Sequence, residues 1–278
     1  HSPTTVTLSG HKSISLYNSI EAFRFTYEVV YTNTIAAGAY RGYGATQGLF
    51  AVESAVNELA DRLGMDPAKI REKNMVREGQ LMRSYFNEHA TSCALDRCLA
   101  KAKEMIGWDQ KYPCRDMGNG KVRGVGMALA MQSSGINNID TGAVTIKVND
   151  DGFYTMSIGA TDMGTGCDTI LAQIAAECLE CSPDEIIVHG VDTDTSPYDC
   201  GSYASSTTYV TGMAVVKTCE TLKKRMTEEA AKQLSCEPGD ITFEGKAFFA
   251  ETTGQRISLK DLGNQAMCGN TTALLATE

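Results

Sequence analysis

Four histidines (His1, His11, His89 and His189) and ten cysteines are the side chains here best suited to hold a transition metal. Their spacing assembles no site. No HExxH occurs. Cys178 and Cys181 have CxxC spacing, but no second CxxC or Cys/His pair completes four ligands. On a helix, that spacing also suits two structural thiols on one face. Asp192-Thr-Asp194-Thr-Ser196 starts like a calcium loop, yet its sixth position is Pro197 instead of Gly and its twelfth is Tyr203 instead of Glu. The sequence therefore offers no protein-borne metal site.

Three other segments carry chemistry of a different kind. Gly164-Thr165-Gly166 falls between an expected strand and an expected helix, where backbone N–H groups can cradle an anion. It lacks the third glycine of a dinucleotide fingerprint and the GKS/GKT of a phosphate loop, so it reads equally as a helix-opening turn. Tyr203-Ala-Ser-Ser-Thr-Thr-Tyr209 precedes a long helix and gathers hydroxyls at the positive end of its dipole. It supports two readings, a generous N-cap or a cradle for a phosphate or pterin. Arg41 lies in Gly38-Ala-Tyr-Arg-Gly-Tyr-Gly44, where glycines permit close backbone approach. It is either a surface arginine or a fixed donor aimed into a site.

The elements that must position these residues follow from pattern. Residues 25–32 (FTYEVVYT) predict a strand, followed by a Gly/Ala-rich turn over 36–44. A helix is expected over 46–63, with Leu49, Phe50, Val52, Val56, Leu59, Ala60 and Leu63 on its apolar side, ended by Gly64. Asp66-Pro67 is an N-cap followed by proline at the first helical position. It opens a second helix whose apolar side is Ile70, Met75 and Val76. A third helix is expected over 92–106 and a connector over 107–121. Strands are expected at 123–132, 143–148, 154–158 and 186–191, with Asp150-Asp151-Gly152 as a hairpin turn. Helices at 167–180 and 206–234, a strand pair around 241–250 and a short helix after Ser258 complete the reading. The class is α+β, mixed sheets with packed helices, and the expected domains are 1–117 and 118–278.

Taken together these segments resemble the molybdenum-cofactor-binding subunit of the xanthine dehydrogenase/aldehyde oxidase family, the molybdenum hydroxylases. Tyr31-Thr-Asn33 followed by Ala39-Tyr-Arg-Gly-Tyr-Gly-Ala-Thr-Gln47 is similar to the family's T-N…A-F-R-G-F-G-x-x-Q. Asp66-Pro…Ile70-Arg71…Asn74…Glu78-Gly79 is similar to D-P-x-x-x-R-x-x-N…G. Asp162-Met-Gly-Thr-Gly166 is similar to E-M-G-Q-G, and Asp192-Thr…Pro197…Ala204-Ser-Ser-Thr-Thr…Gly212-Met-Ala214 to D-T…P…A-S-x-S/T-T…G-x-A. The four occur in the family's order between about residues 17 and 235.

The resemblance implies that molybdenum is held by a pterin dithiolene and by no protein atom, in accord with the missing ligand set. It implies hydroxylation of an electron-poor carbon of a purine, another N-heterocycle or an aldehyde, with water as the oxygen source. Electrons would leave through iron–sulfur clusters and usually FAD on other subunits or domains of an oligomeric parent. By position, Arg41 and Ala204 match residues beside the metal. Ala39 lies in the same loop, and Tyr40 matches a backbone N–H facing a metal ligand. Gly164 and Gly166 flank Thr165, which stands where the family often has Gln. Ser205, Ser206, Thr207 and Thr208 match the pterin–pyrophosphate cradle. Tyr43 matches one wall of an aromatic sandwich around the substrate, and Ser134-Gly135 falls at the other, where purine enzymes have Phe. The family's general-base Glu, in a G-E-P motif, is expected past Glu278; Cys236-Glu237-Pro238-Gly239 lies too near the Ser/Thr segment to be it. The chain is therefore expected to be a central fragment, inactive alone, of a purine- or heterocycle-oxidising enzyme. An aldehyde oxidoreductase and a non-catalytic paralogue acting as an interaction module are the alternatives.

Composition sets the outer limits. The 278 residues suit about two domains at roughly 150 residues each. A net charge of −9 disfavours nucleic acid as a partner, and no run of about 20 apolar residues exists to span a membrane. The N-terminal His1-Ser2-Pro3 is no signal peptide and lacks an initiator Met, which makes a piece of a longer chain the expectation. The scattered cysteines predict mostly reduced, small, buried residues of a cytoplasmic protein.

Overall fold

The structure is a computed structural model that describes residues 3–18, 20–35, 38–136, 139–269 and 273–278. Ala36 and Ala37 of the Gly/Ala-rich turn lie outside the described residues. The chain divides into two compact units, His1–Ser133 and Ser134–Glu278.

The first unit opens with helix α1 (Pro3–Ile14), which the sequence pattern did not reveal. Residues 25–32 form no strand. Among the described residues no second strand pairs with their backbone, and Val29, Val30 and Tyr31 are exposed. A β pattern without a partner leaves backbone groups to water. Helix α2 (Ala45–Arg62) follows and stops where expected, with Gly64 in the left-handed region (φ +57°). Its buried stripe differs from the apolar side read from sequence. Ala45, Leu49, Glu53 and Ala60 are buried, whereas Phe50, Leu59 and Leu63 are exposed. The reason is the close seat of α2 against α1. A Cβ built on Gly48 would lie 1.9 Å from the Ser9 carbonyl oxygen, so only glycine allows that approach.

Helix α3 (Pro67–Asn74) begins at Asp66, whose carboxylate accepts from the Ala68 N–H at 2.6 Å, and Ile70, Met75 and Val76 are buried as expected. The Asp66 carboxylate also accepts from Trp108 Nε1 at 3.0 and 3.2 Å. Two short strands, β1 (Leu81–Met82) and β2 (Glu88–His89), pair antiparallel. Helix α4 (Leu95–Ile106) starts three residues later than the pattern suggested. The expected connector contains α5 (Trp108–Lys111) and β3 (Cys114–Asp116), which pairs with β4 (Val122–Gly124). Only the start of the expected 123–132 strand is therefore a strand.

Residues 125–132 instead pack within this unit. The Leu129 N–H donates to Glu53 Oε2 at 2.8 Å, and Lys12 Nζ donates to Gln132 Oε1 at 3.3 Å. The compact units part after Ser133, while the turn of the pattern from helix to strand set the expected domain boundary near 118. At the unit's centre, Arg71 is fully buried. It donates from Nε to the Glu53 carboxylate at 2.8 Å and from Nη1 to the Pro67 carbonyl at 2.9 Å, and its Nη2 lies 2.7 Å from the same carboxylate as an ion pair. The Tyr17 hydroxyl donates to Glu53 Oε1. Burial, then that carboxylate, pushes the Tyr17 phenol above its ordinary range.

The second unit is built on strands β5 (Val144–Val148) and β6 (Tyr154–Ile158), paired antiparallel through the expected hairpin, Val148 opposite Tyr154. Their alternation buries Val144, Ile146, Val148, Tyr154, Met156 and Ile158 on one face. Helix α6 (Cys167–Leu179) crosses from β6 to the parallel strand β7 (Ile186–Gly190). Helix α7 (Thr207–Leu234) packs beside α6, and a second antiparallel sheet contains β8 (Ile241–Glu244), β9 (Ala247–Ala250) and β10 (Arg256–Ser258). Helix α8 (Leu259–Cys268) and strand β11 (Leu275–Thr277), which adds to β5, close the chain. The architecture is α+β, with mixed sheets and packed helices. Leu171, Ala175 and Leu179 of α6 and Val215, Leu222 and Met226 of α7 complete the core. Cys236-Glu237-Pro238-Gly239 enters a 3-10 turn (Pro238–Asp240) between α7 and β8.

The ten thiols are unbonded in the structure, but only Cys167 and Cys219 are buried. Cys98, Cys114 and Cys268 are exposed, so the expectation of mostly buried cysteines does not hold. Most sit at the edges of helix faces or in loops instead of in the apolar stripe.

Candidate functional site

In the first unit, Arg41, Gly42, Tyr43 and Gly44 have φ of +37°, +110°, +45° and +86°. Four consecutive left-handed residues form a tight turn that leads directly into α2, and two of them carry side chains that disfavour this region. The turn holds Arg41 exposed, with no ion-pair partner among the described residues. Ala39 and Tyr40 precede it and are also exposed, Tyr40 at 87%. Tyr43 does not stand free as a substrate wall. Its hydroxyl is hydrogen-bonded to Thr4 Oγ1, and the Lys12 ammonium lies 5.2 Å from its ring centre. One face of the ring is thus engaged with α1.

In the second unit, the segments leading into α6 and α7 are tied together. Ser202 Oγ accepts from the Thr161 N–H at 3.0 Å and donates to the Thr161 carbonyl at 2.8 Å. The Gly135 N–H donates to the Ala204 carbonyl at 2.9 Å. Ser134 is exposed beside it. The structure therefore brings Gly135, the start of α6 and the start of α7 into one neighbourhood of that unit.

The segments that lead into the two helices differ. At α6, Asp162 Oδ1 accepts from the Gly164, Thr165 and Gly166 N–H groups at 2.8, 3.0 and 3.1 Å. Those bonds hold the Asp162 carboxyl below the ordinary carboxylate range. The protein's own carboxylate thus occupies the anion position that the glycine motif suggested. The first turn of α6 itself has no side-chain cap, and α7 is the same in this respect. Ala204 and Ser205 are left-handed, with φ of +55° and +57°, and no side chain caps the helix. Ser206, buried, donates to the Tyr203 carbonyl at 2.8 Å. Ser205 and Thr208 are exposed and Thr207 is half-buried at an uncapped positive helix end. Such an end, lined by hydroxyls, suits an anionic group. Residues 204–208 fit the phosphate portion of a pterin cofactor; the amides of 164–166 are already taken.

Asp162, Cys167 and Asp168 place ligand atoms within 4.8 Å of one another, a cluster absent from the sequence reading because it depends on the turn of the α6 entry. Asp162 is engaged by three amides, and burial followed by Asp168 pushes the Cys167 thiol up to about 11. A protonated thiol and a committed carboxylate make a poor ligand set. The sequence reading also missed Lys12, Glu53 and the hold of Asp162 on the 164–166 amides. Only Asp162, an N-cap-type residue placed before a glycine turn, had a local signal.

Most of the chain matches known family models. Residues 101–278 match one described as "Molybdopterin cofactor-binding domain", and residues 1–75 match a second of the same description. The chain belongs to the molybdopterin cofactor-binding domain family. It is 34% identical over 255 residues to an Escherichia coli K12 protein named "Probable hypoxanthine oxidase", covering 88% of this chain and 26% of that protein. It is 31% identical over 272 residues to the xanthine dehydrogenase molybdenum-binding subunit of Escherichia coli O157:H7, covering 96% and 36%. Among solved structures, the aldehyde oxidoreductase of Desulfovibrio desulfuricans matches 99% of this chain and 28% of its own, with 26% identity and a TM-score of 0.76. The chain thus spans about a quarter to a third of the length of these relatives. No described helix is long and apolar enough to cross a membrane.

Proposed function

We propose that this chain is the cofactor-holding part of a molybdenum hydroxylase that oxidises purines or related N-heterocycles, with water as the oxygen source. The observation that carries the reading is the uncapped start of α7 behind two left-handed residues, with Ser205, Thr207 and Thr208 at its positive end. In this reading those hydroxyls and the free N–H groups of the first helical turn bind the pterin's phosphate. Ala204 and Gly135, joined backbone to backbone, shape the adjoining wall. Arg41 acts as a fixed donor at the metal's edge, a role for its rigid fork of N–H groups. Gly164, Thr165 and Gly166 contribute through the shape of their turn, because Asp162 already takes their amides. When bound, the molybdenum centre supplies the two-electron oxidation of the substrate carbon. Iron–sulfur clusters and FAD on other subunits or domains of an oligomeric, cytoplasmic parent carry the electrons away, and the general base comes from residues outside this chain. On this reading the chain alone does not turn over.

The purine reading is supported by the two bacterial relatives named for hypoxanthine and xanthine. A second reading, oxidation of aldehydes, is favoured by the likeness to an aldehyde oxidoreductase over nearly the whole chain and by Ser134-Gly135, which presents no aromatic ring. Assaying the full-length protein with hypoxanthine, nicotinate and acetaldehyde at matched concentrations separates them. The highest kcat/KM is expected for a heterocycle; the highest value for acetaldehyde replaces the purine reading with the second.

A further inference from the structure

Strands β3 and β4 of the first unit form a two-stranded ribbon, and among the described residues no third strand lies on either edge. All of their residues are exposed, Val122 at 68%. A ribbon with no buried face is marginal by itself. Its register sets Arg115 directly opposite Arg123. Like charges in that position are destabilising. One step on, the Met117 N–H donates to the Lys121 carbonyl at 2.9 Å, so Lys121 lies on the same face as the two arginines. Among the described residues no carboxylate pairs with Arg115, Lys121 or Arg123. Asp116 alternates to the other face, where its carboxylate accepts from the Gly118 N–H at 2.8 Å. A cationic face without counter-ions is unusual in a chain whose net charge is −9, and no contact inside the chain offsets its repulsion.

The backbone adds direction. The Met117–Lys121 bond and a second, from the Val125 N–H to the Pro113 carbonyl at 3.2 Å, make Arg115 and Arg123 a hydrogen-bonded pair of the ladder. The N–H and C=O groups of Val122 and Gly124 then point away from β3, along an open edge. Lys121 and Arg123 lie two residues apart on that edge strand. Side chains at alternate positions of an added strand therefore fall beside both.

We propose that the β4 edge is a docking site for an extended acidic segment of a partner polypeptide, one with Asp or Glu at alternate positions. The segment adds as a third strand to the outward backbone groups of Val122 and Gly124, and its carboxylates pair with Lys121 and Arg123. The uncompensated cations select its charge, and the open backbone selects its extended form.

The probe is a fluorescein-labelled peptide of four Thr-Glu repeats, titrated with the whole chain and followed by anisotropy. A Thr-Lys peptide of the same length is the control. The acidic peptide is expected to bind about tenfold more tightly than the control or better, through opposite-charge pairs across the new ladder. Lys121→Thr with Arg123→Thr keeps good strand residues and is expected to weaken binding about tenfold. Val122→Pro keeps both cations and removes an outward N–H that the ribbon does not use, and is expected to weaken binding as much. Hydrogen exchange of the unsubstituted chain reads the same contact without a variant. The Val122 and Gly124 amides should slow about tenfold or more when the peptide is added. No binding, or equal binding of the Thr-Lys peptide, overturns the proposal. So does binding that survives Val122→Pro or leaves the two amides unprotected, since each reduces the attraction to charge without strand addition. Salt-sensitive self-association of the chain in sedimentation, lost in the Lys121→Thr, Arg123→Thr protein, also overturns it by making a second copy the occupant.

Discussion

Replacing Glu53 by Gln should unfold the first unit far more readily than its conservative chemistry suggests. The Glu53 carboxylate accepts three hydrogen bonds, from Arg71 Nε, the Tyr17 hydroxyl and the Leu129 N–H, and forms an ion pair with Arg71 Nη2 at 2.7 Å. All are removed from water, with Arg71 fully buried. Gln has one acceptor oxygen and one donor NH2, so at least one of those donors then faces another donor, and the Arg71 charge loses its counter-ion. Breaking a buried pair from one side costs about 3–5 kcal/mol, and each orphaned buried donor adds about 1–3 kcal/mol where it cannot relax. A loss of about 4 kcal/mol, with a urea slope near 2 kcal/mol/M, lowers the midpoint by about 2 M. Trp108, buried in the same unit, reports the transition by fluorescence. The double change Glu53→Leu with Arg71→Met removes both charges and should recover the part of the loss that comes from the unpaired guanidinium, leaving the Tyr17 hydroxyl and the Leu129 N–H without their acceptor. A Glu53→Gln midpoint within about 0.5 M of the parent, or a double variant no better than the single one, refutes the reasoning that this pair is an interdependent buried network.

Three further outcomes follow from the same geometry. Gly48→Ala should destabilise by about 1–3 kcal/mol, because its Cβ meets the Ser9 carbonyl oxygen at 1.9 Å; without that contact the change would favour the helix by about 0.5–1 kcal/mol, so the sign in urea unfolding decides. Asp162 has a folded pKa below the ordinary carboxylate value, so its support of the α6 entry is present above that value and is lost as pH falls through the lower one; the Gly164, Thr165 and Gly166 amide NMR signals should shift together in that acid window and not in Asp162→Asn. Arg41→Lys in the full-length protein should lower kcat on the order of 10²-fold with the fold intact, whereas full activity removes Arg41 from the site.

The elements with strong local signals were legible. Asp66-Pro67 announced α3 and Gly64 the end of α2, and the alternation in 144–148 and 154–158 announced the hairpin. What local pattern cannot show is what a side chain packs against. The expected strand at 25–32 has suitable residues but no paired neighbour. Phe50 and Leu59 belong to an apolar side by periodicity, yet the seat on α1 turns Glu53 inward in their place. The site was legible as motifs and not as geometry. Ser205, Thr207 and Thr208 lie at an open helix end as their types suggest. The Gly164–Gly166 amides, by the same reading equally open, are filled by Asp162, an interaction fixed by the torsion angles of one turn. Lys12 lies 31 positions from Tyr43, too far for any spacing rule to connect them.

In the proposed function the start of α7 holds the anionic part of a molybdopterin. Thr208→Asp tests it most directly, because Thr208 is exposed in the first turn and an acidic residue there favours the helix by about 0.3–1 kcal/mol. The same charge repels a phosphate. Molybdenum and pterin per chain should be measured in the full-length protein purified with and without the change, alongside the thermal midpoint. Thr208→Asp should lose at least tenfold of both metal and pterin with the midpoint unchanged or raised. Metal and pterin retained at the parent's level in a folded Thr208→Asp protein would contradict this role of α7.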